Sequence, residues 1–313
     1  MKQKIFTFLL IAAAGFTACR KNSDADPDIK QYDEQQIQAY MSANGLTDFS
    51  KDTTGGDTTG MYYKIFNKGV GAPLEYSDQV SLVFTLKSFD GRYISTDTIT
   101  NHIYNYLGHL NTKDPNTSAN LPKGLMLGIK NLLKYRDGSM RLLIPSRLAY
   151  GKAGTGTGSV TNTNTRISGN QSLDYYVHII NDQQVYDDLV IRNYMTANNL
   201  TGYTKTATGI YYKNIVTGDG VAIIGSNSTF TTNYTLKLLN NAQLETGVGV
   251  SFTMGVTDPV PGVKEILLGK SVGSAVSILV PSRLAYGVSG SSTTIPSNAP
   301  LYFDFQIATV TNN

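Results

Sequence analysis

Hydrophobic and polar positions along this chain are arranged mostly in short runs that are typical of β-strands. Six such runs predict strands over 80–86, 140–144, 175–179, 229–238, 275–280 and 301–307. Two other stretches, 124–133 and 262–268, predict one short helix each, placed between strands. Strands of this kind around a short helix indicate an α+β fold, with a curled antiparallel sheet wrapped on the helix.

The chain contains an internal duplication. Segment 143–151 (LIPSRLAYG) returns at 279–287 (LVPSRLAYG), 60–64 (GMYYK) returns at 209–213 (GIYYK), and 40–46 (YMSANGL) returns at 194–200 (YMTANNL). The three segments come in the same order in both halves, although the distances between the copies differ. One unit has therefore been duplicated, and its loops differ in length between the copies.

A helix is predicted to open each unit. Apolar residues spaced three and four positions apart form one stripe on each helix: Ile37, Tyr40 and Met41 in the first, and Ile191, Tyr194 and Met195 in the second. Acidic residues suit a helix N-terminus, and we assign that place to Asp33 and to the pair Asp187 and Asp188. We expect the stripes to pack on their own unit or on the other one, and binding of a partner is the alternative.

The first residues have the pattern of an export signal. Lys2 and Lys4 precede an apolar run over 5–16, which is shorter than the roughly 20 residues that span a bilayer. The run ends in Phe-Thr-Ala-Cys, and Cys19 is the only cysteine of the chain. This resembles a bacterial lipobox, so we expect lipidation at Cys19 and a place in the bacterial cell envelope, on the periplasmic side of a membrane or at the outer-membrane surface. An ordinary signal peptide is the alternative.

Composition excludes several kinds of chemistry. With its single cysteine at the processing site, the chain has no thiol left for disulfides, cysteine metal sites or a nucleophile. The three histidines, His102, His109 and His178, show no metal-ligand spacing. The net charge is +3 with 16% charged residues and no basic run, so we expect no nucleic-acid partner.

These patterns predict a division of the chain into five parts. They are a lipoprotein signal peptide over 1–18, a tether and helix over 19–59, a first folded domain over 60–182, a linker helix over 183–208 and a second folded domain over 209–313. The two folded domains with their opening helices are called the first and the second unit below.

The second unit resembles the FKBP-type peptidyl-prolyl cis-trans isomerases over nearly its whole length. The matching motifs are 211–213 (YYK), 233–236 (NYTL), 259–263 (PVPGV), 280–287 (VPSRLAYG), 295–298 (IPSN) and 301–305 (LYFDF). The resemblance implies a five- or six-stranded antiparallel sheet wrapped on a short helix, with a proline pocket between the two. It also implies chemistry without a cofactor or a metal.

Matched motif by motif, the resemblance assigns the pocket of the second unit. The catalytic positions fall on Tyr286, Glu245 and Phe303, and the substrate-binding positions fall on Tyr234, Leu244, Val260, Val263 and Ile295. The Tyr286 hydroxyl would donate to the substrate carbonyl, and Glu245 would orient that hydroxyl or the neighbouring backbone. The apolar residues would form the walls. Burial in the core is the alternative for Ile295 and Phe303, and an exposed carboxylate is the alternative for Glu245.

The first unit matches the family less well. Its counterparts of the pocket residues are Phe84, Ile94, Leu125, Tyr150, Ile167 and Tyr175. Ser95 stands where the family has a carboxylate, Ser168 stands where it has a proline, and the loop over 152–165 is expanded and rich in Gly, Thr and Asn. We therefore expect this unit to be degenerate.

The resemblance implies a peptidyl-prolyl isomerase that assists the folding of exported proteins. Its clients would be proline-containing polypeptides, and its activity would lie mainly in the second unit. The alternative is a lipoprotein that kept the fold as a non-catalytic binding or chaperone module. Intact Tyr286, Ile295 and Phe303 favour the isomerase, whereas Ser95, Tyr175 and Val263 favour the alternative. Two departures weaken the claim of activity: Val263 is smaller than the aromatic residue usual at that position, and Glu245 is one methylene longer than the usual Asp.

Overall fold

The computed structural model describes residues 28–54, 56, 59–112, 120–157, 159, 163–291 and 294–312. The predicted signal segment and Cys19 lie outside the described residues. The same holds for 158 and 160–162 in the expanded loop of the first unit.

The first unit is built on an antiparallel sheet of seven strands. Among its described residues this unit has nine strands: β1 (Ser50–Lys51), β2 (Tyr62–Asn67), β3 (Gln79–Ser88), β4 (Ile94–Ser95), β5 (His102–Tyr106), β6 (Ser139–Ile144), β7 (Thr155–Gly156), β8 (Arg166–Ile167) and β9 (Leu173–Ile180). The sheet order is β1-β2-β6-β9-β3-β4, and β5 also pairs with β3. Strands β7 and β8 pair with each other in a separate small hairpin.

The second unit repeats this topology in six strands. They are β10 (Thr204–Lys205), β11 (Tyr211–Val216), β12 (Thr229–Leu238), β13 (Gln243–Thr253), β14 (Ala275–Val280) and β15 (Leu301–Thr311). Their order is β10-β11-β14-β15-β12-β13, so β11, β14, β15 and β12 correspond to β2, β6, β9 and β3 of the first sheet. The predicted α+β fold with antiparallel sheets is confirmed.

Four α-helices in the described part of the chain complete the two units. They are α1 (Ile29–Ala43), α2 (Lys123–Gly128), α3 (Gln183–Ala197) and α4 (Pro261–Leu267), and a π-helical turn over Ile129–Leu133 continues α2. Helix α1 packs on the first unit, where Ile37 and Tyr40 contact Tyr62 and Leu143. Helix α3 packs on the second unit, because Ile191 and Tyr194 belong to the core of that unit.

The role predicted for the acidic residues of the opening helices was wrong. The side chains of Asp28 and Asp182 cap the helices, which therefore begin four or five residues before Asp33 and Asp187. Asp33 is buried and accepts the Ser146 backbone N–H at 3.1 Å. Asp187 is buried and accepts the corresponding Ser282 N–H at 2.8 Å. Each carboxylate thus ties its helix to the segment that follows β6 or β14.

The short helix of each unit lies unusually close to the sheet because of a glycine. A Cβ atom on Gly262 would lie 2.5 Å from Val280 Cγ1, and one on Gly124 would lie 2.4 Å from Ile144 Cγ2. Pro261 stands in the first turn of α4, where a proline costs no hydrogen bond. The close contact buries Val263 completely against the inner face of the second sheet.

Candidate functional site

Aromatic side chains cover the inner face of the second sheet. Tyr234 on β12 is directly opposite Phe305 on β15, and their ring centroids are 5.3 Å apart. Phe303 lies 5.6 Å from Phe305 in a stacked arrangement, and Phe252 on β13 lies 6.4 Å from Tyr234. Residues two positions apart on a strand face the same side, so this apolar surface follows from the alternation along β12 and β15.

The predicted walls of the pocket lie in or next to this core. Val263, Ile295 and Phe303 are buried, whereas Leu244 and Val260 are half-buried and pack against the same cluster. Val263 comes from α4, Ile295 from the loop after Tyr286, and Phe303 from β15. The structure therefore brings these positions to one region between the sheet and the short helix, while their contribution to substrate binding stays a prediction.

Tyr286 lies at the rim of this region and is 37% exposed. It follows a 3₁₀ turn over Ser282–Leu284 and precedes Gly287, whose φ of 58° is a left-handed conformation that a glycine adopts without strain. Partial burial, and then the negative charge of Glu245, raise the pKa of the Tyr286 hydroxyl. The hydroxyl is therefore protonated at neutral pH and can donate a hydrogen bond.

Glu245 is exposed, and in this structure its carboxylate accepts a hydrogen bond from the Tyr234 hydroxyl. The carboxylate does not accept a hydrogen bond from Tyr286 in this structure, which differs from the prediction that Glu245 orients the Tyr286 hydroxyl. The reason is the strand register: β12 and β13 are neighbours, and Glu245 pairs with Leu236, two residues from Tyr234. Orientation of the neighbouring backbone by Glu245 stays a prediction. Burial, and then the bond to Glu245, raise the pKa of Tyr234. The interaction of Glu245 with Tyr286 is limited to its charge.

The equivalent region of the first unit is filled by tyrosines. Tyr175 takes the place of Phe303, since Tyr175 pairs with Leu86 and Leu142 as Phe303 pairs with Leu236 and Ile278. Its side chain is fully buried, and its hydroxyl makes no hydrogen bond of good geometry with a described residue. The neighbouring polar groups are the hydroxyls of Tyr150 and Tyr93, which contribute to the raised pKa of Tyr175 after burial. Burial also raises the pKa of Tyr150 to about 12.

The predicted counterpart Ile94 is not part of this region. It is 42% exposed on β4, and the preceding residue, Tyr93, packs against the core in its place. Because side chains of a strand alternate between the two faces, an assignment shifted by one residue selects the wrong face. The other three counterparts, Phe84, Leu125 and Ile167, are buried in the first core, and the Phe84 ring lies 5.6 Å from that of Tyr175.

Sequence reasoning missed Tyr93 and Phe252. It also missed β13, because Gly247 and Gly249 interrupt the apolar pattern between Leu244 and Phe252. The available signal was the alternation of Val248, Val250 and Phe252 on both sides of Gly249, although only Val250 and Phe252 are partly buried.

A groove of about 410 Å³ lies on the opposite, outer face of the second sheet. Asn233 and Thr235 from β12 and Asp304 from β15 line it. Tyr234 and Phe305 also line it, although they alternate with these residues along the strands and their rings stack on the inner face. The groove therefore lies across the sheet from the predicted pocket and shares Tyr234 with it.

Within the described ranges, no group of three His, Cys, Asp or Glu side chains is placed to hold a metal ion. No helix in the described part of the chain is both long and apolar enough to cross a membrane.

The second unit is similar in sequence to proteins of a known family. Residues 222–308 match the family model described as FKBP-type peptidyl-prolyl cis-trans isomerase. This range contains β12 to α4, Tyr286 and most of β15. The second unit therefore belongs to the FKBP-type peptidyl-prolyl cis-trans isomerase family, as its motifs indicated.

Individual relatives cover parts of the chain. The FKBP-type peptidyl-prolyl cis-trans isomerase FkpA of Buchnera aphidicola is 27% identical over 117 residues, which are 37% of this chain and 46% of the relative. The peptidyl-prolyl cis-trans isomerase FKBP15-1 of Arabidopsis thaliana is 36% identical over 70 residues, which are 22% of this chain and 46% of the relative. The matched parts thus span less than half the length of these two curated relatives. Among solved structures, FkpA from Escherichia coli matches with a TM-score of 0.34 and 23% identity, over 41% of this chain and 62% of that one.

Proposed function

We propose that this protein is a peptidyl-prolyl cis-trans isomerase that acts on proline-containing polypeptides, mainly through its second unit. The observation that carries the proposal is the position of Tyr286, a half-exposed phenol at the rim of an apolar region built by Val263, Ile295 and Phe303. The family membership of the second unit supports it.

The reaction needs a pocket of this kind and little else. Rotation about an X-Pro bond breaks amide resonance, which costs roughly 20 kcal/mol in water, and no covalent bond forms or breaks. The twisted amide is less polar than the planar one, so an apolar site that removes water from the carbonyl favours the twisted state. Catalysis results when this state is bound more tightly than the planar ground state.

Each residue of the site contributes to this difference in binding. Phe303, Val263 and Ile295 surround the proline ring and exclude water. The Tyr286 hydroxyl donates a hydrogen bond to a substrate carbonyl and holds the peptide across the rim. Glu245 keeps its exposed carboxylate on Tyr234 and acts on Tyr286 through its charge.

The first unit is proposed to lack this activity. In place of the Phe303 ring it has the Tyr175 phenol, whose buried hydroxyl lies near those of Tyr150 and Tyr93. An apolar proline ring would have to cover these hydroxyls, and a buried polar group left without a hydrogen bond costs about 1–3 kcal/mol.

Tyr286→Phe and the matched Tyr150→Phe test the assignment in the full mature protein. Loss of one hydrogen bond to the twisted amide is worth about 1 kcal/mol, so Tyr286→Phe is expected to slow isomerisation of a proline tetrapeptide about five-fold with the fold intact. Tyr150→Phe is expected to leave the rate unchanged. A loss of activity with Tyr150→Phe and none with Tyr286→Phe would reverse the roles of the two units. An inactive wild-type protein that still binds proline peptides would instead indicate a non-catalytic binding module.

We also propose that the protein is attached to the bacterial envelope through lipid on Cys19 and assists the folding of exported proteins there. The charged start, the short apolar run and the position of the single cysteine support this. Mass spectrometry of the mature N-terminus is expected to show a lipidated Cys19, and Cys19→Ala is expected to release the protein from the membrane fraction. An unmodified N-terminus at another residue would contradict the proposal.

A further inference from the structure

Ser81 of the first unit is a hydrogen-bonding centre between the two units. It lies on β3 and is 9% exposed. Its hydroxyl donates to Gln183 Oε1 at 2.8 Å, lies 2.8 Å from His102 Nε2, and accepts from Asn298 Nδ2 at 3.3 Å. A hydroxyl has a single proton, so the bond to Gln183 requires His102 to donate from its Nε2–H. Ser81 thus joins its own unit to two separate positions of the second unit.

One of these connections reaches the far end of the loop that carries Tyr286. Asn298 is 3% exposed and has a φ of 54°, and its backbone N–H donates to the Gly287 carbonyl at 2.9 Å. The backbone of Asn298 therefore closes the loop directly behind Tyr286, while its side chain is bound to Ser81.

The second connection reaches the near end of the same loop. Gln183 Nε2 donates to Asp187 Oδ1 at 2.8 Å. The other oxygen of this buried carboxylate accepts the Ser282 N–H at 2.8 Å and the Ser282 hydroxyl at 2.7 Å. Ser282 opens the 3₁₀ turn that leads to Tyr286. Both ends of the Tyr286 loop, defined here as residues 282–291 and 294–298, are therefore linked by hydrogen bonds to Ser81.

Contacts of a neighbouring loop hold the two units together around Ser81. Ile99 of the first unit is buried in the core cluster of the second unit. Beside it, Asn240 Nδ2 donates to Asp97 Oδ2 at 2.6 Å. The position of Ser81 relative to the Tyr286 loop thus depends on apolar burial as well as on its own hydrogen bonds.

The first unit has the local parts of this arrangement. Asp33 accepts the Ser146 N–H, and Asn170, with a φ of 57°, donates its N–H to the Gly151 carbonyl at 2.8 Å. These bonds repeat those of Asp187 and Asn298 around Tyr150. The second unit differs from the first in one respect: its loop is also hydrogen-bonded, through Ser81, to another folded unit.

We infer that the first unit positions the catalytic loop of the second, with Ser81 as the positioning residue. The inference rests on the proposed function, since Tyr286 is the group being positioned. A buried polar network with all its members paired is rigid, and loss of one member leaves its partners unsatisfied. Removal of the Ser81 hydroxyl takes the hydrogen-bond partner from Gln183 Oε1 and from Asn298 Nδ2 at the same time. Both ends of the Tyr286 loop therefore become more mobile. The degenerate unit is thereby part of the isomerase, although it has no role in the chemistry.

Two variants of the full mature protein test this inference. Ser81→Ala removes the centre, and Asn298→Gly removes one connection while it keeps a residue that adopts positive φ. Both are expected to lower kcat for a proline tetrapeptide about five-fold and to change KM less than two-fold, because the apolar walls stay in place. Hydrogen exchange of the backbone amides over 283–291 is expected to become faster in both. Two matched controls are expected to change neither quantity. Thr231→Ala removes a hydroxyl at the equivalent position of the second unit, since Thr231 lies three residues before Tyr234 as Ser81 lies three residues before Phe84. Asn170→Gly makes the corresponding change in the first unit.

A double-mutant cycle separates positioning from a general loss of stability. If Ser81 acts through Tyr286, Ser81→Ala causes no further loss of kcat in a Tyr286→Phe background. Fully additive losses, or wild-type kcat and exchange in both Ser81→Ala and Asn298→Gly, would overturn the inference. If the wild-type protein has no isomerase activity, the proposed function fails, and hydrogen exchange over 283–291 alone still decides whether Ser81 positions the loop.

Discussion

Tyr175 and Phe303 have the same place in the two sheets and differ by one hydroxyl. Phe303 lies among apolar groups of the second core, whereas the fully buried Tyr175 hydroxyl lies near the hydroxyls of Tyr150 and Tyr93. A buried donor without a good hydrogen bond destabilises the folded state. At the residue scale, this single atom distinguishes the apolar region of the second unit from the tyrosine-filled core of the first.

Exchange of the two residues should move stability in opposite directions. Tyr175→Phe is expected to raise the free energy of unfolding of the first unit by about 1 kcal/mol, because it removes a buried hydroxyl without a well-formed bond. Phe303→Tyr is expected to lower that of the second unit by about 1–3 kcal/mol. Urea unfolding of the full protein measures both. A clear destabilisation by Tyr175→Phe would show that the hydroxyl is bonded to Tyr150 in solution.

At the scale of elements, the contact between α4 and the second sheet sets the depth of the predicted pocket. The helix has only seven residues, so its position depends on packing more than on its own hydrogen bonds. Gly262 lets it approach Val280, and Val263, the next residue, is the predicted floor of the pocket. A valine at this contact leaves more room above the helix than an aromatic ring would.

Gly262→Ala tests this contact. Alanine favours a helix over glycine by about 1 kcal/mol, yet the new methyl group would lie 2.5 Å from Val280 Cγ1 and 3.2 Å from Leu284 Cβ. The clash should dominate, so we expect a net loss of about 1–3 kcal/mol in the stability of the second unit and a lower isomerase rate. Gly225→Ala is the control, since its methyl group would meet nothing closer than Ser228 Oγ at 3.5 Å. A stabilised Gly262→Ala protein would contradict the packing argument.

For the whole molecule, the contact around Ser81 includes a buried histidine. His102 is buried at this contact, next to Ser81 and 5.7 Å from the Tyr186 ring. The His178 ring lies 6.2 Å from the same Tyr186 ring and 3.3 Å from Asp137 Oδ1, and the Asp187 carboxylate accepts a hydrogen bond from Gln183. Burial lowers the pKa of His102 to about 4. His102 is therefore neutral throughout the physiological pH range.

This burial predicts a loss of stability in acid. An unfolded histidine takes up a proton near pH 6.5, and folded His102 does so only near pH 4. The stability contributed by neutral His102 is therefore complete above pH 6.5 and is lost as the pH falls to 4, by about 3 kcal/mol in total. Urea unfolding at pH 7.5 and 4.5 measures the loss. His102→Gln should be less stable at pH 7.5 but should lose clearly less on acidification, and an equal loss would place the titration elsewhere.

The sequence by itself determined the duplicated plan and most of its strands. Strands β12 and β14 have the predicted bounds, and α4 is displaced by one residue from its predicted range. These elements could be predicted because apolar alternation and turn-forming residues act within a few neighbouring positions. The same local information indicated the position of Tyr286 at the end of a strand and turn. Only the tertiary structure decided that Tyr93 replaces Ile94 and that Glu245 binds Tyr234, since both depend on the register between strands. The bond between Ser81 and Asn298 joins residues 217 positions apart, and a pattern along the chain contains no signal for a contact made by docking two finished units.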